Sequence, residues 1–150
     1  MTEPIAAHLV VDDPEAAAGW YATVLGAEER SRIPMPGGAV LTIELAVGET
    51  TIALAGEHPD MGIVSPKTLG GTYSALVLDT DDADALWQRA LDAGATVFHP
   101  LADTFWGKRF GQVIDPFGHR WGFSQHIRDV PPDEVARAAA EAFGGSTGAG

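Results

Sequence analysis

The chain has 150 residues, enough to bury a core and most simply one domain. It carries 9 basic against 21 acidic residues, a net charge of −12 with neutral histidines, so its surface repels nucleic-acid phosphates and anionic lipid and favours cationic small molecules. The absence of cysteine excludes disulfides and thiolate metal sites, no apolar run approaches membrane-spanning length, and the N-terminus lacks the basic–apolar–small order of a signal peptide; a cytoplasmic protein is expected.

In chain order, Ile5–Val11 reads as an apolar strand. Asp12-Asp13-Pro14-Glu15 then starts a helix: an aspartate caps it, proline fits its first turn, and glutamate sits at the positive end of the dipole. That helix runs to about Leu25, where Gly26 stops it. Glu28–Ile33 is a strand with a polar face, 34–38 a loop, and Val40–Val47 with Thr50–Ala55 a hairpin around Gly48-Glu49. The stretch 56–72 has no periodicity and is expected to be a long connecting loop.

The chain then starts again. Tyr73–Asp79 reads as a strand, Asp81–Ala93 as an amphipathic helix stopped at Gly94-Ala95, and Thr96–Pro100 as a strand. Phe105-Trp106-Gly107-Lys108-Arg109 has the aromatic and cationic make-up of a loop that grips a ligand. Phe110–Ile114 and Arg120–His126 alternate as the arms of a hairpin about the turn Asp115-Pro116-Phe117-Gly118. Pro131–Phe143 is an alanine-rich helix, and 144–150 are expected to fray. Strand, Asp-capped helix and Gly-Ala stop, then strand and hairpin, thus occur twice. This is an internal repeat of strand–helix–three-strand form. The fold class expected is α+β: module one about 4–56, linker 57–72, module two about 73–127, and a C-terminal helix about 131–143, all in one domain. Each helix must cover one face of its own sheet, and the other face must find a partner or form a cavity.

That doubled unit has Asp12-Asp13, Trp20-Tyr21 and Leu25-Gly26-Ala27 opening it, and Asp115-Pro116-Phe117-Gly118-His119-Arg120 near its end. It resembles the vicinal oxygen chelate superfamily, the fold of glyoxalases, bleomycin-resistance proteins and extradiol dioxygenases, over roughly residues 4–127. Pro59-Asp60-Met61-Gly62 and the run Asp115–Trp121 are most similar to its PhnB-like branch. The resemblance implies two half-cups, often contributed by two chains of a homodimer, that enclose a ligand. It also implies metal ligands (His, Gln or Glu) on the cavity face of each repeat. Carried over by spacing, those positions fall on Ala6, Ala53, Ser74 or Ala75, and Gly122. None supplies the carboxylate or imidazole that a divalent metal requires, so no metal and no other cofactor is expected. His8, two residues beyond Ala6 on the same face, leaves one displaced ligand open.

If Leu9, Val11, Ile43, Leu45, Ile52, Leu54, Leu76, Leu78, Trp121 and Phe123 face the helices, the alternate residues face the cup. Small side chains dominate there and leave volume, as in small-molecule pockets. His8, Glu44, Tyr73 and Ser124 would be the polar groups of that pocket, and Phe105, Trp106 and Phe110 would wall its mouth by stacking on a flat or cationic ligand. Arg109 would bind a carboxylate or pair with a surface acid. The function expected is a homodimeric, metal-free protein of the bleomycin-resistance type. It would sequester an aromatic or cationic antibiotic-like compound, bind neither nucleic acid nor membrane, and confer resistance. Two alternatives stay open. One is a lyase, isomerase or transferase of the same superfamily, using a displaced metal or His8/Glu44 acid–base chemistry. The other is a structural or regulatory dimer with a vestigial cup.

Overall fold

A computed structural model describes residues 4–144. Each repeat builds one four-stranded mixed sheet. In the first, β1 (Ala7–Val10), β2 (Glu28–Pro34), β3 (Val40–Val47) and β4 (Thr50–Ala55) lie in the order β1-β4-β3-β2. In the second, β5 (Ala75–Asp79), β6 (Thr96–Asp103), β7 (Lys108–Ile114) and β8 (Arg120–His126) lie in the order β5-β8-β7-β6. The first strand of each repeat runs parallel to the last, and the other pairs are antiparallel. Helix α1 (Pro14–Leu25) covers the first sheet and α3 (Ala83–Asp92) the second, while α4 (Pro132–Phe143) follows β8. The fold is the expected α+β arrangement of two repeated modules.

Local chemistry starts both long helices as the sequence implies. The Asp13 side chain accepts from the Ala16 amide at 3.1 Å, and that of Asp82 accepts from Ala85 at 3.1 Å. Alternation then sends Leu9, Val11, Ile43, Leu45, Ile52, Leu54, Trp121 and Phe123 into a core beneath the helices, with Tyr21, Val24, Leu86 and Ala90 filling it from the other side. The helices also brace each other's modules. Trp20 Nε1 donates to the Ala93 carbonyl at 2.8 Å, and Arg89 Nε donates to the Val24 carbonyl at 3.0 Å.

At the joint lies a buried carboxylate. Asp115, 3% exposed, accepts from the Tyr21 hydroxyl, from Trp121 Nε1 at 2.9 Å, and from the amides of Phe117 at 2.9 Å and His119 at 3.0 Å. Burial, together with the neighbouring Asp115 charge, pushes the Tyr21 phenol far above its ordinary range, so it remains a donor.

Two stretches differ from expectation. Residues 56–72 are ordered rather than irregular: Pro59–Met61 form a turn, His58 bridges Ile63, and Pro66–Leu69 form the short helix α2, capped by the buried Ser65. Glu57 holds this segment, accepting from the Ser65 amide at 3.0 Å and from Thr68 Oγ1 at 2.6 Å. In the second repeat β6 runs on past Pro100 to Asp103 through two irregularities of register, and β7 begins at Lys108. The aromatic–cationic loop is therefore only Thr104–Gly107. Gly107 ends it with φ +87°, where a β-carbon would stand 2.1 Å from the Arg128 carbonyl oxygen. Of the tail expected to fray, 145–150 lie outside the described residues.

Candidate functional site

The sheet faces turned away from α1 and α3 hold most of the residues singled out above. On the second sheet Ala75, Val77, Phe110, Gln112, Arg120, Gly122 and Ser124 share one face. Gly122 makes room for the Phe110 ring: a β-carbon there would meet its ring atoms at 3.1 Å and Val77 Cγ2 at 3.2 Å. Trp106 packs edge-on to Phe110 with ring centroids 6.2 Å apart, and Phe105 packs between Trp106 (4.9 Å) and Phe143 of α4 (6.4 Å). On the first sheet His8, Ala53, Glu44 and Ser31 form one row across β1, β4, β3 and β2.

The edge strands β1 and β5 come near each other, and the 64–73 segment closes over their ends. There His8, Val10, Val64, Pro66, Leu69, Tyr73 and His119 line a groove of about 560 Å³. His119 Nε2 is 2.8 Å from the Val10 carbonyl oxygen and ties the last turn of module two to β1. Ser124 lies at the other end of its sheet, in a hollow of about 210 Å³ with Lys108, His126, Asp79, Thr80 and Asp81.

Of the residues expected to meet in one pocket, only His8 and Tyr73 share the groove beside His119. Tyr73 is not on β5 but precedes it, 96% exposed. Phe110 and Ser124 belong to the second sheet, Trp106 to the loop between β6 and β7, and Glu44 is an exposed residue at mid-row on the first. Arg109 is on the opposite face. Because β7 begins at Lys108, alternation turns Arg109 toward α3. There it forms a two-nitrogen bridge to Asp84 (2.9 and 3.0 Å) and a bond to Asp103 at 2.9 Å. Those hydrogen bonds raise the Arg109 pKa and hold the Asp84 carboxyl below its usual range. Of the two readings of Arg109, a grip on a ligand carboxylate or a pair with surface acids, these contacts are of the second kind. His119, Val64, Pro66 and Leu69 were not foreseen. His119 sits in a turn that reads as structural, and the other three fall in the stretch without periodicity.

The register also moves the carried-over metal row. Ala53 pairs with His8, not Ala6, and Gly122 pairs with Val77, not Ala75. The aligned set is then His8, Ala53, Val77 and Gly122, which offers one imidazole and no carboxylate. Such a donor set does not fit a divalent metal. Among the described residues no cluster of three or more His, Cys, Asp or Glu side chains could hold one. Glu44 stands two strands from His8 with Ala53 between them, about 10 Å along the sheet.

Residues 4–123 match the model of the Glyoxalase/Bleomycin resistance protein/Dioxygenase superfamily, and the chain belongs to that family. It is 42% identical over 134 residues to protein Mb0911c of Mycobacterium bovis, covering 87% of this chain and 88% of that one. Among solved structures it resembles TnmS3, an antibiotic binding protein from Streptomyces sp. CB03234 (24% identity, TM-score 0.64, 84% of this chain and 97% of that one). It also resembles the PhnB protein from Bacillus cereus (14% identity, TM-score 0.65, 82% and 99%). At these identities the structural likenesses show the fold alone.

Proposed function

We propose that this chain is a small-molecule-binding protein of the bleomycin-resistance type, which sequesters a flat cationic compound between the uncovered sheet faces of two copies. One observation carries the reading: large apolar side chains on or beside those faces stay exposed. Ile33 is 52% exposed on the first face, and Val77 57% and Trp106 39% on or beside the second. Apolar surface gathered on a concave face marks a place that a ligand or partner covers. The surplus of acids, 21 against 9 bases, raises the local concentration of cations. Trp106 and Phe110 offer ring faces and edges for stacking. The antibiotic binding named for TnmS3 is a property of that protein, and it supports this direction without assigning the ligand. Placement in the PhnB-like branch, on the run Asp115–Trp121, and a cytoplasmic setting are parts of the same proposal. Acid–base catalysis by His8 and Glu44 is not favoured, because the row separates the two groups.

The test is a titration of bleomycin, followed by other cationic aromatic antibiotics, read by tryptophan fluorescence and by native mass spectrometry. The expected result is a dimer that binds with saturation. Trp106→Phe should lose most of the quenching, and Trp106→Ala should weaken binding about tenfold, the scale of one stacking contact (~1.4 kcal/mol). A monomeric mass with no response to any cationic aromatic compound overturns the proposal.

A further inference from the structure

On the other side of the 66–72 segment lies a second groove, of about 570 Å³, walled by Pro66, Phe98, Ile114 and the Gly70-Gly71 backbone, with Arg120 and Lys67 as its charged residues. We propose that this groove binds the carboxylate of a small organic acid on Arg120. The inference does not rest on the cation-binding reading above.

Arg120 is partly buried and, among the described residues, forms no ion pair, in a chain with more than twice as many acids as bases. Its guanidinium lies 4.7 Å above the Phe98 ring centroid, and Nη2 donates to the Tyr73 carbonyl at 3.2 Å. Its Nε is buried without any hydrogen-bond partner, and is so alone among buried side-chain nitrogens and oxygens of the described residues. A guanidinium stripped of water on one side and given no anion costs free energy that an external oxyanion offsets. Arg32 and Arg109 show the usual outcome here, each holding two carboxylates. Among the described residues no aspartate or glutamate lines the groove around Arg120. Lys67 adds a second positive charge at the rim, shared with Asp12 at 3.1 Å in an exposed pair that water screens. The groove is thus a positive spot on an acidic molecule.

The apolar walls decide the kind of anion. Phe98 carries the guanidinium against its ring and remains 42% exposed, while Ile114 and Pro66 are hydrocarbon. They suit the body of an aromatic acid better than a hydrated inorganic ion. An arginine fork recognises a carboxylate through two parallel N–H donors.

The experiment follows the Arg120 Nε–H resonance of the full chain by proton–nitrogen NMR during titration with benzoate, with neutral benzamide as the matched control. The expected result is a saturable shift with benzoate only. Read on the backbone amides of Gly70, Gly71 and Phe98, which the variants keep, Arg120→Gln should weaken benzoate binding at least tenfold and Arg120→Lys less, with the rest of the spectrum of each variant preserved. An equal response to benzamide overturns the proposal, as does no response to millimolar benzoate, or binding that is unchanged in Arg120→Lys should Arg120→Gln fail to fold. A resonance that moves with protein concentration alone and ignores benzoate also overturns it, by assigning the anion to a second copy of the chain.

Discussion

Asp115 shows how one side chain can fix both a turn and the joint between two modules. Its two oxygens take four donors: the Phe117 and His119 amides shape the β7–β8 turn, while the Tyr21 hydroxyl and Trp121 indole come from the helix of one module and the strand of the other. Asparagine would offer one acceptor oxygen and place an amide against donors. Asp115→Asn is expected to destabilise the protein by about 3 kcal/mol, and Tyr21→Phe, which leaves one lone pair of Asp115 unmet, by about 1.5 kcal/mol. Chemical denaturation of the two variants and their double checks this. Losses that simply add would mean the two residues do not act through their shared bond. The Asp-Pro-Phe-Gly turn was legible in sequence because proline and glycine impose dihedral limits. The burial of its aspartate was not, since the partner Tyr21 lies 94 positions away and only the fold brings it there.

At the scale of elements, the linker is the clearest difference between pattern and structure. Helix α2 spans only Pro66–Leu69, too short to show a helical period, so nothing in 56–72 alternates and the stretch reads as loop. Its order comes instead from Glu57, whose carboxyl is held below its ordinary range by the hydrogen bonds from Ser65 and Thr68. A depressed folded-state pKa contributes stability that is present above the unfolded value, about 4.3, and is lost as pH falls through the folded one. Amide hydrogen exchange at Ser65 and Thr68 should therefore accelerate, relative to intrinsic rates, as pH drops below about 4.3. Glu57→Gln should exchange faster at pH 7 and lose that pH dependence; an unchanged profile would remove Glu57 as the clasp. Arg109 teaches the same lesson about parity. Starting β7 at Lys108 instead of Phe110 changes no residue's identity, yet it commits Arg109 to the helix face beside Gln125 and leaves Phe110 opposite Ser124.

Across the whole molecule, the repeat was visible because two copies of one pattern reinforce each other: each has a strand, a helix with an aspartate at its start, and a closing hairpin, β3–β4 or β7–β8. How the two sheets meet was not visible, because a sequence pattern says which face of a strand is apolar but not what that face lies against. The structure answers with bonds that cross from one repeat to the other, from Trp20 to Ala93, Arg89 to Val24, Tyr21 to Asp115, and His119 to Val10. Helices α1 and α3 also share one continuous core with both sheets. With the interior common to both modules, neither can lose its packing without exposing the other's. One cooperative unfolding transition is thus expected, with circular dichroism and tryptophan fluorescence coincident. Trp20→Phe keeps most of the ring and removes the donor to the Ala93 carbonyl, so it should cost about 1 kcal/mol. That loss should appear as faster exchange of the most protected amides in β4 and in β8 alike. Two separable transitions, or faster exchange confined to the first sheet, would show instead that the modules are stable independently and that the bonds between them only align the halves of the binding surface.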